Sequence, residues 1–394
     1  MNKQKICIIG GGLTGLITAA TLMKLDLEID LITENNIDQN IKTNRTTAIS
    51  QDNYNNLRKL KLFNAIEKDF WPCSKMRLYT DNKEAKFNQV FELINKKNQN
   101  KKILYMIKNS VILEHLIKKL KINKQVKFKS QKKVSEIVSS GLLKSVKFKN
   151  IDHSKYNLVI ICAGYNSNLL NNFFRNTVFK KRYNEIAITT ILKHDFLKNN
   201  IARQIFLNNE ILALLPISNT KTSIVWSIKK SLFNKHTYKK GLFLKKKIKF
   251  YTKNFLKKIK FISKMEFKDL NLIIRKKYYK DRVLLFGDAL HVIHPLAGQG
   301  FNMTLRDLTS LEKILKEKIN LGLDIGSSDI LSEFSNEAKP RNFMYSMGVD
   351  VLKSSFSSQN QPYKEFRNKI LTNLNKSIIA KDLLLNLADK GFRF

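Results

Sequence analysis

The sequence predicts a doubly wound, Rossmann-like α/β fold that carries an inserted β-sheet domain and ends in helices. Three observations predict it. Two glycine-rich strand–loop–helix units lie far apart, one at the start of the chain and one between Arg282 and Asp307. Short β-rich runs lie between them, from Glu185 to Ile228. Helical periodicity follows residue 330, where Pro340 is expected to begin or break a helix.

The first unit opens with an apolar strand, Lys5 to Ile9. Glycines spaced G-x-G-x-x-G follow it and lead into a helical pattern, where they permit a tight turn and close approach to a pyrophosphate. A second strand, Ile29 to Ile32, ends near Glu34, about 20 residues beyond the glycines, where a carboxylate binds the hydroxyls of a ribose. The unit therefore predicts a dinucleotide crevice built on Gly10, Gly12 and Gly15.

The second unit begins with an apolar run, Val283 to Phe286, which is typical of a buried parallel strand. Asp288 follows at the carboxyl end of this strand, the edge of a doubly wound sheet that faces the ligand crevice. Gly298 and Gly300 allow the backbone to approach a flat ligand closely. A helical pattern starts at Phe301, so that the N–H groups of a helix N-terminus face the same crevice.

This second unit is also similar to a known motif. Its run from His294 to Asn302, followed by Arg306 and Asp307, closely resembles the second flavin-binding motif of the class A aromatic-ring monooxygenases, which use FAD and NAD(P)H. Within that family it is most similar to the ubiquinone-biosynthesis hydroxylases, which usually carry glycine where this chain has Thr304. The resemblance implies a fold like that of para-hydroxybenzoate hydroxylase, with FAD in the crevice.

Two further segments resemble the family. Asn44 to Ser50 is similar to a segment beside the flavin, so Arg45 is expected to contact the cofactor, with a surface arginine as the alternative. Cys162-Ala163-Gly164 stands where the family usually has Ala-Asp-Gly, and the missing acid bears on NAD(P)H more than on FAD. The expected flavin-ring environment is Pro295, Gly298, Gln299 and Gly300. The expected cofactor-binding residues are Gly10, Gly12, Gly15, Glu34, Arg45, Gly164, Asp288, Pro295, Gly298, Gly300, Phe301 and Asn302.

Composition limits the classes of function. The 394 residues include 72 Lys+Arg against 32 Asp+Glu, a formal net charge of +40. Lysines are dispersed and outnumber arginines, which argues against nucleic acid as a partner but leaves attraction to an anionic membrane surface. Three scattered cysteines, and no apolar run of about 18 residues, predict a cytoplasmic protein, with the inner face of the membrane as a second location. His291 and His294 lack a third ligand nearby, so no metal site is predicted.

Two amphipathic segments are candidates for membrane contact. The first spans residues 241–262, with docking on the inserted sheet as its alternative. The second spans residues 366–387, and the protein itself, a partner and the bilayer are all candidates for its apolar face.

The predicted organisation is discontinuous. Residues 1–75, 100–175 and 265–330 are assigned to the FAD-binding domain, 76–99 and 176–264 to the substrate domain, and 331–394 to a C-terminal helical region. The division follows the motifs, because each strand of the FAD-binding domain carries one.

The resemblance implies hydroxylation of the aromatic ring of a polyprenylated phenol on the way to ubiquinone. The implied chemistry uses O2, FAD reduced by NADH or NADPH, and a flavin C4a-hydroperoxide, and other ubiquinone-biosynthesis proteins are candidate partners. One alternative is a hydroxylase of a small soluble aromatic acid, which needs a closed polar pocket with an arginine for the carboxylate. Another is a flavin-binding assembly subunit without turnover, which the replaced acid at Ala163 favours.

Overall fold

A computed structural model describes residues 3–81, 87–95, 101–148, 153–174, 177–234, 240–358 and 360–391. Its strands are β1 Gln4–Ile9, β2 Leu27–Thr33, β3 Thr46–Ser50, β4 Trp71–Cys73, β5 Lys75–Asp81, β6 Phe87–Ile94, β7 Leu104–Lys108, β8 Val126–Ser130, β9 Val134–Ser140, β10 Leu143–Phe148, β11 His153–Tyr156, β12 Leu158–Ile161, β13 Val178–Lys193, β14 Ile201–Leu207, β15 Glu210–Ser218, β16 Lys221–Lys229, β17 Lys260–Phe261, β18 Glu266–Arg275, β19 Tyr279–Lys280, β20 Val283–Leu285 and β21 His291–Val292. Its α-helices are α1 Leu13–Leu22, α2 Gln51–Lys59, α3 Asn109–Lys121, α4 Asn168–Phe173, α5 Lys230–Asn234, α6 Lys240–Thr252, α7 Gly300–Asn320, α8 Ser328–Ser357, α9 Gln361–Lys376 and α10 Ile378–Lys390. Short 3-10 helices lie at Ile37–Ile41, Asn64–Asp69, Gly287–Ala289 and Leu296–Gly298.

The sheet that contains β1 has six strands in the order β19-β20-β12-β1-β2-β8. Neighbours from β20 to β8 are parallel. Ile6 and Ile8 of β1 are completely buried, as expected for a parallel sheet covered by helices on both faces. The parallel pairing and the strand order confirm the predicted doubly wound domain.

The strand order reverses at β1. The chain runs from β1 through α1 to β2 on one side, whereas β12 lies on the other side of β1. Ligands of doubly wound sheets bind outside the carboxyl ends of the strands at such a reversal. The fold thus places a crevice beyond Ile9, Thr33 and Ile161.

The inserted sheet has the order β21-β18-β13-β16-β15-β14-β5-β6, with β17 beside β13. It confirms the predicted second β-sheet. Strand β18 pairs along β13 from Val178 to Thr189, so it belongs to this sheet, although it lies in the range 265–330 assigned to the FAD-binding domain. Because of this long pairing, the inserted sheet extends to about Lys276, beyond the predicted boundary at residue 265. The division of the chain into three regions stays a prediction.

Each face of the inserted sheet is covered. On one face, α6 packs through Leu244 and Ile248, both buried, into a cluster that contains Trp226. The segment 241–262 therefore docks on the sheet, the alternative to an interfacial helix, and its helix ends at Thr252. On the other face lie the small sheet β3-β7-β4 and helix α8, whose Phe356 ring stacks on Phe206 of β14 at a centroid distance of 3.6 Å.

The C-terminal region is helical, as predicted, but Pro340 neither begins nor breaks a helix. It lies inside α8, which continues to Ser357. Proline lacks the N–H that would bond one turn back. The flanking turns are held by the buried side chains of Phe334, Ala338 and Asn342, and this packing keeps the helix continuous. Among the residues described, no helix is both long and apolar enough to span a membrane.

Candidate functional site

A cavity of about 870 Å³ lies at the carboxyl ends of β1, β2 and β12. Parallel pairing brings its lining together, because the carboxyl ends of neighbouring strands share one edge of the sheet. The lining includes five of the residues predicted from the sequence, Gly10, Gly12, Glu34, Gly164 and Asp288. Their contacts with a cofactor stay a prediction, but the structure places them around one space.

The glycines of the first motif have different tasks. A Cβ at Gly15 would lie 1.8 Å from the Gly10 carbonyl oxygen, so α1 packs against the turn only with glycine there. Gly10 itself has φ +130°, and a Cβ there would lie 2.8 Å from the Cys162 carbonyl oxygen. Gly12 has no neighbour within 4 Å of an added Cβ and borders the cavity. Two glycines pack the turn, and the third leaves room for a ligand.

Charged side chains complement an anionic, hydroxyl-bearing ligand. The cavity is lined by Lys132, Lys133 and Lys268 as well as by the two predicted carboxylates. Lys133 Nζ lies 2.8 Å from Glu34 Oε1, and Lys268 Nζ lies 3.6 Å from Asp288 Oδ2. Both pairs are largely exposed, so they can exchange partners at little cost. The cations suit a pyrophosphate and the carboxylates suit ribose or ribityl hydroxyls.

Sequence reasoning missed these lysines. In a chain so rich in lysine, none of them stands out by composition. Their signal is topological, since Lys132 and Lys133 follow β8, the parallel neighbour of β2, and Lys268 lies on the inserted sheet.

The wall of the cavity also contains a cysteine. Cys162 is buried, and burial raises the pKa of its thiol to about 12. The thiol is therefore neutral near pH 7 and packs in the cavity wall.

The second glycine motif lies against β3. Gly298 has φ +67°, and a Cβ there would lie 2.9 Å from the Ala48 Cβ. Asn302 Nδ2 donates to the Ala48 carbonyl at 2.9 Å, and Asn302 Oδ1 accepts from the Ser50 N–H at 2.9 Å. The Asn302 side chain thus fastens the start of α7 to β3. The cofactor contact predicted for Asn302 stays a prediction, and it concerns the backbone because the amide is already bonded.

The turn before this helix is tight. The Leu296 N–H donates to the His294 carbonyl at 2.7 Å across Pro295. Leu296 packs with Phe206 and Phe356, so the loop lies between β3 and the inserted sheet. Within the same loop, Asn302 Nδ2 also lies 3.4 Å from Gln299 Oε1. 

The other predicted residues of this loop have few constraints from the protein. Gly300 begins α7, where an added Cβ would meet only Ile293 at 3.8 Å. Phe301 packs partly on the main core. The lining described for the 870 Å³ cavity includes none of the predicted residues from Pro295 to Asn302. The structure therefore divides the predicted site residues into a crevice group and a loop group.

Arg45 belongs to neither group. Its Nε lies 3.1 Å from Glu266 Oε2 on β18, and its side chain is 42% exposed. The Asn44 N–H donates to the other oxygen of the same carboxylate at 2.6 Å. This arginine joins the start of β3 to the inserted sheet, which supports the structural alternative, and its contact with the cofactor stays a prediction.

The two histidines of the second unit are engaged separately. His291 Nε2 lies 3.2 Å from Asp307 Oδ2, and His294 Nε2 lies 3.2 Å from Glu185 Oε2. Each imidazole thus has a different carboxylate partner. The described part of the chain holds no group of three His, Cys, Asp or Glu side chains placed to bind a metal ion.

The inserted sheet presents an apolar face to β3 and β7. The buried residues of this face contact the side chains of Ala48 and Met106. They are Met76, Ala202, Ala213 and Leu215. The arginine of β14 lies on the opposite face, where the Arg203 guanidinium is 5.4 Å from the Phe255 ring centroid. The contact between the inserted sheet and β3 and β7 is therefore mainly apolar, with one hydroxyl pair, Thr46 Oγ1 to Ser223 Oγ at 2.9 Å.

The residues present fit FAD. The open position at Gly12, the Glu34 carboxylate and the crevice lysines suit its ADP part, whereas Asp288 and the N-terminus of α7 suit the ribityl chain and the ring. Bound FAD would supply the activation of O2 and the transfer of one oxygen atom. This crevice, joined to an inserted sheet with an apolar face, defines a flavoprotein of the monooxygenase class.

Comparisons with known proteins identify the family. The chain belongs to the family described as FAD binding domain, whose model matches residues 3–343. It is 24% identical to the mitochondrial ubiquinone biosynthesis monooxygenase COQ6 of Dictyostelium discoideum, over 98% of this chain and 91% of that protein. It is 28% identical to the ubiquinone hydroxylase UbiL of Rhodospirillum rubrum, over 46% of this chain and 42% of that protein. These matches confirm an FAD-dependent monooxygenase of the class the motifs predicted.

Solved structures agree on the fold. The p-nitrophenol 4-monooxygenase PnpA of Pseudomonas putida superposes with a TM-score of 0.80 at 13% identity, covering 100% of this chain and 99% of that one. Klebsiella pneumoniae HpxO, complexed with FAD and uric acid, superposes with a TM-score of 0.76 at 13% identity, covering 98% and 97%. Both likenesses confirm the predicted α/β architecture with an inserted sheet and C-terminal helices.

Proposed function

We propose that the enzyme hydroxylates the aromatic ring of a polyprenylated phenol in ubiquinone biosynthesis, using O2 and NADH or NADPH. The observation that carries the proposal is the similarity, over 98% of this chain, to the ubiquinone biosynthesis monooxygenase COQ6 of Dictyostelium discoideum. Beside β3 and the turn at residues 294–300, here called the flavin loop, the inserted sheet has an apolar face. Its buried residues Met76, Ala213 and Leu215 offer no charge to a carboxylate, and Arg203 of β14 is on the other face. Apolar surroundings suit an aromatic ring with an isoprenoid tail, whereas a small aromatic acid needs a cation beside its carboxylate.

The residues of the chain have defined tasks in this reaction. Apolar side chains beside the flavin loop would orient the ring and exclude water. The N–H groups at the start of α7 would stabilise negative charge on a bound flavin, because a helix N-terminus carries partial positive charge. The turn at Pro295 places that helix start between β3 and the inserted sheet.

The reductant belongs to the same proposal. Ala163 lines the crevice where related proteins usually have an acid, and lysines Lys132 and Lys133 stand nearby in the same lining. Anaerobic mixing of the FAD-loaded protein with NADH, and separately with NADPH, should bleach the flavin absorbance. Absence of bleaching with both would favour the flavin-binding assembly subunit instead.

The deciding experiment measures quinone precursors. Introduced into a host that lacks one ubiquinone-pathway hydroxylase, the protein should restore ubiquinone and remove the precursor that lacks the hydroxyl group, as seen by mass spectrometry of lipid extracts. A Gly12→Val variant, which is expected to lose FAD, serves as the matched negative control. Failure to restore ubiquinone in every such host, with FAD still bound by the purified protein, would refute the substrate while leaving the enzyme class intact.

We further propose that the C-terminal helices contact an anionic membrane surface, from which a lipid-tailed substrate would enter. Phe366 on α9 and Ile379 on α10 are 63% and 83% exposed, in a chain of net charge +40. Aromatic and aliphatic side chains amid basic residues bind the interface of anionic bilayers. Contact with other ubiquinone-biosynthesis proteins and the location within the cell stay predictions.

Vesicle flotation tests this surface. The double variant Phe366→Ser/Ile379→Ser should bind phosphatidylglycerol-containing vesicles about tenfold more weakly, because each buried aromatic or aliphatic side chain contributes on the order of 1 kcal/mol or more. Ile122→Ser removes an equally exposed side chain, 84% exposed, at the end of α3 and should change nothing. Equal loss in both variants would point to a general effect of surface hydrophobicity and would refute this location.

A further inference from the structure

The buried side chains of His294, Glu185 and Lys353 form a hydrogen-bonded chain of charged and polar groups next to the flavin loop. His294, the residue before Pro295, is 1% exposed, and its Nε2 lies 3.2 Å from Glu185 Oε2 on β13. The other oxygen of Glu185 lies 2.7 Å from Lys353 Nζ on α8. Three elements that are distant in sequence therefore meet through one carboxylate.

The other charged and titratable groups near the His294 imidazole belong to β13 and α8. From β13, the Tyr183 hydroxyl donates to Asp350 Oδ1 at 2.9 Å, and Lys181 Nζ lies 2.8 Å from Asp350 Oδ2. From α8, Lys353 Nζ lies 4.4 Å from the Tyr183 ring centroid, and that ring meets His294 edge-on. Two carboxylates and two lysines balance one another, so a neutral imidazole leaves the cluster uncharged.

The protonation state follows from this balance. Burial lowers the pKa of His294 below its ordinary value, although Glu185 opposes the shift. Burial acts to raise the pKa of Glu185, but hydrogen bonds from His294 and Lys353 outweigh it, and that pKa is lowered. The imidazole is therefore neutral, donates through Nε2 to Glu185, and leaves Nδ1 buried with no partner among the described residues.

Stability alone does not explain this cluster. Buried ion pairs stabilise a fold no better than apolar residues of the same volume, because desolvation offsets their attraction. Apolar packing between the same loop and α8 occurs nearby, because Leu296 of the loop packs with Phe356 of α8. A directional, hydrogen-bonded chain fixes position, which apolar packing does less well.

We propose that His294 is a positioning residue for the flavin. The His294–Glu185–Lys353 chain holds the turn at Pro295, and with it the backbone of Gly298 and Gly300, against the cofactor. The link is short, because His294 is bonded directly to Pro295 and its carbonyl accepts the Leu296 N–H that closes the turn. The proposal needs only FAD binding and is independent of the identity of the substrate.

The first test compares two substitutions at His294 in the full-length protein. Gln places an amide N–H near the position of Nε2 and can still donate to Glu185, whereas Leu cannot. His294→Leu should weaken FAD binding about tenfold and alter the visible spectrum of the bound flavin, while His294→Gln should stay within about twofold of wild type. Equal affinities and spectra for the two variants would overturn the proposal.

The second test uses pH. Lys353→Met leaves Glu185 with His294 as its remaining partner in the chain, which raises the pKa of the imidazole. As the pH falls from 8 towards 6, through the ordinary range for histidine, this variant should protonate His294 and shift the flavin bands. In wild type the same change should occur only at a lower pH, because burial and the Lys353 charge lower the pKa of His294.

Further variants keep the test decisive. The titration should vanish in His294→Gln/Lys353→Met, and its persistence there would overturn the assignment to His294. If Lys353→Met does not fold, the uncharged pair Glu185→Gln/Lys353→Met replaces it, since it leaves no buried charge unpaired in the chain. That double variant should bind FAD with a pH-independent spectrum, and a titrating spectrum would contradict the proposal.

Discussion

Gly12→Val is expected to abolish stoichiometric FAD binding while leaving the apoprotein folded. Gly12 has φ −81° and ψ −177°, an extended conformation that valine adopts readily, and an added Cβ meets no protein atom within 4 Å. The new side chain therefore strains nothing in the protein. It occupies the edge of the crevice instead, where the backbone must approach a pyrophosphate. FAD affinity should fall by about 100-fold or more, or roughly 3 kcal/mol.

Two controls separate binding from folding. Gly241→Val places the same side chain at an exposed glycine of α6 that also has open space around it, and FAD binding should be unchanged. Gly10→Val should unfold or strongly destabilise the apoprotein, since its φ is +130° and a Cβ would lie 2.8 Å from the Cys162 carbonyl oxygen. Flavin titration and thermal unfolding measure both effects. Normal flavin content in Gly12→Val would mean that the cofactor does not pass this loop.

What the sequence predicted well follows from backbone constraints. A parallel strand that ends in glycines before a helix has few alternatives, because Gly10 and Gly15 are the residues a tight turn against β12 can accommodate. The same constraint made Asp288 recognisable, since it follows a buried strand at the sheet edge where ligands bind. Both motifs therefore identified the crevice without any contact being visible.

Long-range partners were harder to predict. Glu185, His294 and Lys353 are separated by long stretches of chain, and nothing local marks them as a set, because each residue type is common on surfaces. The ion pair of Arg45 with Glu266 on β18 was equally hidden from the sequence, while the cofactor contact of Arg45 stays a prediction. Side-chain pairing across sheets depends on tertiary register, which local periodicity does not contain.

Pro340 and β18 are two places where the local sequence pattern did not predict the observed structure. Propensity predicts that a proline interrupts a helix, but packing of the neighbouring turns outweighs that cost in α8. Strand β18 adjoins a flavin-motif strand in sequence, yet it pairs with β13. In both cases the tertiary contacts override a correct local inference.

The second large effect is expected at Gly298, where the flavin loop meets β3. Gly298 has φ +67°, a left-handed conformation that is unfavourable for a β-branched residue. A Cβ at this position would also lie 2.9 Å from the Ala48 Cβ. Gly298→Val should therefore push the loop away from β3 and move the start of α7. A displacement of about 1 Å beside the reacting atoms can reduce turnover by about 100-fold, so hydroxylation should fall by at least that factor.

Strain and displacement can be distinguished with glycines from the same chain. Gly322→Val, after α7, imposes a similar left-handed conformation, φ +70°, but nothing lies within 4 Å of its Cβ. It should lower the melting temperature by a few degrees, corresponding to about 1–2 kcal/mol of strain, without affecting turnover.

In Gly298→Ala, removal of the opposing methyl by Ala48→Gly should restore part of the activity, because the clash disappears while the strain remains. No rescue would show that the loop does not act through its contact with β3, and that the flavin is held from another side.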